Sequence, residues 1–256
     1  METISVAIQK GGTGKTTTVH ALGYGLINKG KKILFVDLDP QCNLSFTVGV
    51  DLINENITLY DVFTKKQNTE AALHHIQVGM DILTGGLQLS AADMTFTDMN
   101  RAYLLKESIS DMAQNYDYVL IDCPPSLNVL TMNALAASDK IIVPLAADIY
   151  SLQGIAQFNG FIENVRKYCN NPGLKVDGLL ITKYTERNII SRTLQDAINQ
   201  AAQELNTKVY ETRIRSTVTV SESQLSRTDL YSYNSNATAT QDYNDFTEEF
   251  LKGDHK

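Results

Sequence analysis

The chain has 256 residues, 43% hydrophobic and 20% charged, which suits a soluble globule with one core of the size an α/β fold can sustain. Its net charge of −7 does not advertise a nucleic-acid surface, and no run approaches the roughly 20 apolar residues that span a bilayer. Met1-Glu2-Thr3 lacks the basic start and apolar region of a secretory leader, so the expected location is the cytoplasm.

The first apolar run, residues 4–8, reads as a strand and leads directly into Gln9-Lys10-Gly11-Gly12-Thr13-Gly14-Lys15-Thr16-Thr17. A helix expected over 15–28 follows, stopped by Gly30. Strand, glycine-rich turn and helix start together aim backbone N–H groups and a helix dipole at one point, which suits a polyphosphate. In such a loop Lys15 reaches the β- and γ-phosphates and the Thr16 hydroxyl ligates Mg²⁺. Nucleotide binding is assigned to residues 10–17. The loop is unusual in one respect. The position five residues before Gly14, ordinarily glycine, is Gln9, and a second lysine, Lys10, stands inside the loop.

Further strands are expected at 32–36, 81–83, 118–121, 141–145, 178–181 and 209–214, with helices at 101–114, 127–136, 152–168 and 189–205. The strands are rich in Ile, Val and Leu without strict alternation, as in a parallel sheet buried on both faces. The expected architecture is one domain, a doubly wound, mostly parallel α/β sheet with helices on both faces. Ligands of such sheets bind beyond the carboxyl ends of the strands, and two carboxylate sites fall there. One is Val36-Asp37-Leu38-Asp39-Pro40-Gln41, the other Ile121-Asp122-Cys123-Pro124-Pro125. Asp39 and Asp122 are assigned to Mg²⁺ and its waters; Asp37, alternating with Leu38, is a candidate support for the loop. Thr182-Lys183-Tyr184, at another strand end, is a candidate base-side loop.

Cys42, Cys123 and Cys169 form no readable disulfide or Cys-x-x-Cys pattern and read as small semi-buried apolar residues. His74 and His75 would leave a helix on different faces, and neither His20 nor His255 has a partner at ligand spacing, so no protein-built metal site is expected.

The combination of residues 9–18, 36–41, 121–126 and Ile142-Val143-Pro144-Leu145 resembles the ParA/Soj family of partition ATPases, a deviant Walker A group that also includes MinD. The resemblance is strongest over the first 145 residues and continues more weakly to the end. It implies ATP and Mg²⁺ as cofactors, with Lys15 and Thr16 as phosphate lysine and metal ligand. Lys10 matches the lysine that crosses a nucleotide-sandwich homodimer to the other subunit's phosphates. Asp39 matches the residue that orients the attacking water, and Asp122 the acid of the second metal-site motif. The catalytic set is then Lys10, Lys15 and Asp39, and the metal set Thr16, Asp39 and Asp122.

The resemblance also implies a weak ATPase stimulated by DNA and by a ParB-type centromere-binding protein, with the ATP dimer binding double-stranded DNA nonspecifically on the nucleoid. Arg187, Arg192, Arg213 and Arg215 lie in the region expected to contact DNA. With three residues ahead of the first strand, an N-terminal helix-turn-helix domain is not expected. A MinD-like membrane-positioning ATPase would end in a basic amphipathic helix, whereas residues 242–250 are acidic. An iron–sulfur electron-transfer ATPase needs more cysteine than Cys123, and Tyr231, Tyr233 and Tyr243 are too scattered for the tail of a tyrosine kinase.

Overall fold

The computed structural model describes residues 1–51, 57–148, 152, 154–185 and 192–253, excluding the side chain of Arg192. Eight strands form one sheet: β1 (Glu2–Val6), β2 (Ile33–Asp37), β3 (Leu73–Gln77), β4 (Met80–Leu83), β5 (Tyr118–Asp122), β6 (Lys140–Ala146), β7 (Lys175–Tyr184) and β8 (Lys208–Arg215). Their order is β3-β4-β2-β5-β1-β6-β7-β8, parallel throughout except for the β3–β4 hairpin at one edge. The order in which strands are added reverses about β1, with β2 to β5 on one side and β6 to β8 on the other, so the crevice for a ligand opens beyond the carboxyl ends of β5, β1 and β6.

Alternate residues of each central strand feed opposite cores. Ile33 and Phe35 join Ile4, Val6 and Leu120 on one face, packed by the helices Lys15–Asn28 and Thr238–Gly253. Leu34 and Val36 join Val119 and Ile121 on the other, under Val129–Ala137, Ile155–Tyr168 and Arg192–Glu204. With both faces covered, β2 and β5 carry apolar side chains at every position up to their terminal aspartates, the run-like pattern visible in the sequence. The first helix lies close to the sheet because Gly23 has no side chain; a Cβ there would begin 2.1 Å from the Phe35 ring.

The doubly wound α/β class is as expected, with differences at the elements. Lys15–Asn28 has the expected limits. The helix expected over 101–114 is two short pieces, Leu104–Ile109 and a 3₁₀ turn at Ala113–Asn115, because Ser110 and Asp111 bond locally instead of propagating it. His74 and His75 lie on an antiparallel strand rather than a helix, and His75 Nδ1 sits 2.8 Å from Asp81 Oδ1 on the paired strand. The helix Thr238–Gly253 was not anticipated. It buries Ala239, Tyr243, Phe246 and Phe250 along one stripe, and Phe246 stands edge-on to Tyr210 of β8 with centroids 4.9 Å apart.

Candidate active site

The glycine loop leaves β1 and turns through left-handed conformations at Gly12 (φ +73°) and Gly14 (φ +88°), which residues with a Cβ adopt at a cost. That geometry starts a helix at Lys15, with the first backbone N–H groups aimed back into the loop. Lys15 is 7% exposed, and its Nζ donates to the Lys10 carbonyl at 2.9 Å. Burial lowers its pKa, against the pull of Asp122, Cys123 and Asp39. Here Lys15 takes a loop carbonyl as partner, a contact that a phosphate oxygen could replace.

Asp122, at the end of β5, is fully buried. One carboxylate oxygen accepts the Thr16 hydroxyl at 2.6 Å, and the other, Oδ1, has no hydrogen-bond partner among the described residues. In the β2–β5 register Asp122 is paired with Asp37. Burial, followed by the charge of Asp37, drives its pKa well above the usual carboxylate range, despite the opposing Thr16 hydroxyl and Lys15. A buried, unmatched carboxylate oxygen next to a second carboxylate is costly unless a cation or a proton meets it.

That chemistry fits Mg²⁺. Thr16 gives its proton to Asp122, so the remaining lone pairs of its oxygen can face a hard cation. Among the described residues no group of three or more His, Cys, Asp or Glu is placed to hold a metal by itself. Phosphate oxygens and water would therefore have to complete such a site, as Mg²⁺ prefers.

The two aspartates at the end of β2 divide their work. Asp37 is buried and accepts the Ser45 backbone N–H at 2.8 Å, the Ser45 hydroxyl at 2.7 Å and the Asp39 N–H at 3.2 Å. Burial raises its pKa to about 6, with the Ser45 bonds opposing. Its role is to cross-link the loop, as its alternation with Leu38 suggested. Asp39 is half-buried; its Oδ1 accepts the Gln41 N–H at 3.0 Å, and its charge is felt at Lys15, Asp37 and Asp122. The loop it occupies is held from the other side by Gly85, where a Cβ would lie 2.7 Å from the Asp37 carbonyl.

Lys10 stands at the mouth of the loop and pairs with Asp148 at 2.9 Å, both partly exposed. Asp148 was not picked out from the sequence, although it follows the apolar strand β6 as Asp39 and Asp122 follow theirs. Ser45 and Thr182 were likewise missed as supports. Thr182, in the candidate base-side loop, donates its hydroxyl to the Thr13 carbonyl at 2.8 Å, tying β7 to the glycine loop.

Of the basic residues expected at DNA, only the side chains of Arg213 and Arg215 are among the described ones. Arg187 lies outside the described residues, and Arg192 opens the helix Arg192–Glu204. Arg213 stacks over the Tyr184 ring at 5.5 Å and donates to Gln195. Arg215 is engaged by Asp242, with Nη2 2.6 Å from Oδ1 and Nε 3.0 Å from Oδ2, so its guanidinium already serves a carboxylate of the Thr238–Gly253 helix. Cys42, Cys123 and Cys169 are buried free thiols, and burial pushes Cys123 up, away from the thiolate a metal cluster would need.

Comparison with known proteins places this geometry in context. The family described as AAA domain matches residues 1–176. The chain is 37% identical over 226 residues to the chromosome partitioning protein ParA of Caulobacter vibrioides, covering 87% of this chain and 83% of that one. It is 32% identical over 248 residues to the sporulation initiation inhibitor protein Soj of Bacillus subtilis, covering 96% of each. Among solved structures, cobyrinic acid a,c-diamide synthase from Mycobacterium smegmatis, with a bound ATP analogue and magnesium, superposes with a TM-score of 0.85. Its identity is 31%, over 100% of this chain and 96% of that chain.

Proposed function

The chain belongs to the ParA/Soj family of partition ATPases, and from that membership we propose a Mg²⁺-ATP-dependent dimerisation switch that binds DNA without sequence preference. With a ParB-type partner it would partition a plasmid or a chromosome. The observation that carries this reading is the pair of lysines in one loop. Lys15 is buried at the helix start, where it can serve only its own nucleotide. Lys10 stands at the open mouth on a carboxylate of its own chain, from which the phosphates of a second subunit could draw it.

Each residue then has a task. The loop N–H groups and Lys15 hold the phosphates, and Thr16 and Asp122 would hold Mg²⁺. The metal would supply positive charge to the β- and γ-oxygens as the leaving group departs. Asp39 orients the attacking water, with Asp37 and Ser45 fixing the loop that carries it. Lys10 of the partner subunit offsets charge developing on the γ-phosphoryl group, as an arginine finger does. Separation of Lys10 from Asp148 couples that step to dimerisation, so a monomer hydrolyses slowly.

DNA contact is assigned to the segment from Lys183 to Arg215, with six basic and four acidic residues in a chain of net −7. A dimer would present two copies, which explains a requirement for ATP. The acidic Thr238–Gly253 helix spends its apolar face on the sheet, which argues against an anionic membrane as its docking surface.

Fluorescence anisotropy with unrelated duplexes tests this. With Mg²⁺-ATP the protein should bind all of them equally, with log affinity falling against log salt by about 0.9 per phosphate contact. Lys15→Ala should bind neither ATP nor DNA. An ATP-bound dimer without salt-sensitive DNA binding would overturn the partition role while leaving the ATPase.

A further inference from the structure

The end of β7 is built as if to deliver a cation to the glycine loop. Thr182 is 2% exposed and held twice, by its hydroxyl on the Thr13 carbonyl at 2.8 Å and by its own carbonyl on the Ala147 N–H at 3.1 Å. The next residue, Lys183, turns outward. Its φ is +52°, a left-handed conformation that costs a residue with a Cβ on the order of 1 kcal/mol or more. The β7–β8 ladder slips at the same point: Ile181 pairs with Arg213 and Tyr184 with Arg215, so three steps on one strand match two on the other. A bulge of this kind re-aims a side chain. The Lys183 side chain is aimed back across the loop, and its Nζ lies 3.8 Å from where a Cβ on Gly12 would begin.

Strain, bulge and anchored neighbour converge on one ammonium group. Strained backbone of this sort persists where the surroundings hold it, and it clusters at ligand clamps. Solvent alone would not require a lysine to be carried over a phosphate-binding turn. We propose that Lys183 is a third phosphate-contacting lysine, binding the polyphosphate of the nucleotide held by its own chain. It closes the loop from the β7 side while Lys15 grips from the helix side. The inference rests on the reading of residues 10–17 as a nucleotide site. It assigns Lys183 to the phosphates rather than to the base, where the sequence alone placed the Thr182-Lys183-Tyr184 turn.

Calorimetric titration of the full chain with Mg²⁺-ATP tests it, using the wild type, Lys183→Ala, Lys183→Gly and Lys183→Arg. Glycine removes the cation while relieving the left-handed strain, so it separates charge from backbone. One lost charge-assisted contact predicts about a tenfold weaker affinity in both Lys183→Ala and Lys183→Gly, with Lys183→Arg within about threefold of wild type. Wild-type affinity in Lys183→Ala would overturn the inference. So would recovery in Lys183→Gly, because the residue would then act through its backbone alone. If the wild type itself failed to bind Mg²⁺-ATP, the nucleotide site would fall first, a result distinct from loss confined to the Lys183 variants.

Discussion

Asp37, Asp39 and Asp122 occupy similar places at strand ends, and their surroundings give them three different tasks. Asp37 is saturated by Ser45 and the Asp39 N–H, Asp39 stays half-open beside the loop, and Asp122 holds Thr16 while one oxygen is unmatched. A second buried group outside this set contributes to the response to acid. His20, 2% exposed and tilted against Tyr24 at 4.8 Å, is held neutral by burial down to about pH 4, with Asp229 opposing. Below its ordinary pKa of 6.5 the unfolded chain takes up a proton that the native state refuses until about 4. The His20 contribution is therefore complete above 6.5 and falls by about 3 kcal/mol as pH drops to 4, while the raised pKa of Asp37 works in the opposite direction below about 6. In urea unfolding, the stability of His20→Leu relative to the wild type should rise by about this amount between pH 6.5 and 4; a difference that does not change with pH would mean that the fold does not hold His20 neutral. At this scale the sequence supplied the strand-end aspartates, because an acid after an apolar run is a local pattern. It did not supply Ser45, Asp148 or the tie from Thr182 to the glycine loop, whose partners are 8 to 169 residues away.

Elements whose limits are set by local chemistry were legible. The helix Lys15–Asn28 begins where two left-handed glycines force it and ends before Gly30, and β2 and β5 are uninterrupted apolar runs. The β3 edge strand was not legible, because Leu73-His74-His75-Ile76-Gln77 acquires its extended form by pairing with β4. The helix Thr238–Gly253 did carry a signal, since Ala239, Tyr243, Phe246 and Phe250 recur at helical spacing, but its acidic polar face obscured it. Its contribution is measurable. Phe246 is fully buried against Tyr210, and Phe246→Ala should cost about 3–5 kcal/mol in urea unfolding. A cost below about 1 kcal/mol would show that the helix is peripheral to the cooperative unit.

Across the whole molecule, the sheet brings four distant strand ends to one crevice: the glycine loop after β1, Asp39 after β2, Asp122 ending β5 and Asp148 after β6. The order of strands around β1 was not readable from any one segment, since it depends on which crossovers run in which direction. The proposed switch is a property of two copies of this assembly. On that proposal, a complete catalytic site would take Lys15, Thr16, Asp39 and Asp122 from one subunit and Lys10 from the other. Lys10→Ala and Asp39→Ala should each be inactive alone, for reasons that lie on opposite sides of the interface. In a mixed dimer, the site of the Lys10→Ala subunit keeps its own Asp39 and receives an intact Lys10 across the interface. The most direct measurement is therefore the Mg²⁺-ATPase rate of the two variants mixed in equal amounts. Random pairing predicts recovery to roughly a quarter of the wild-type rate. A mixture as inert as its components would contradict a lysine acting in trans.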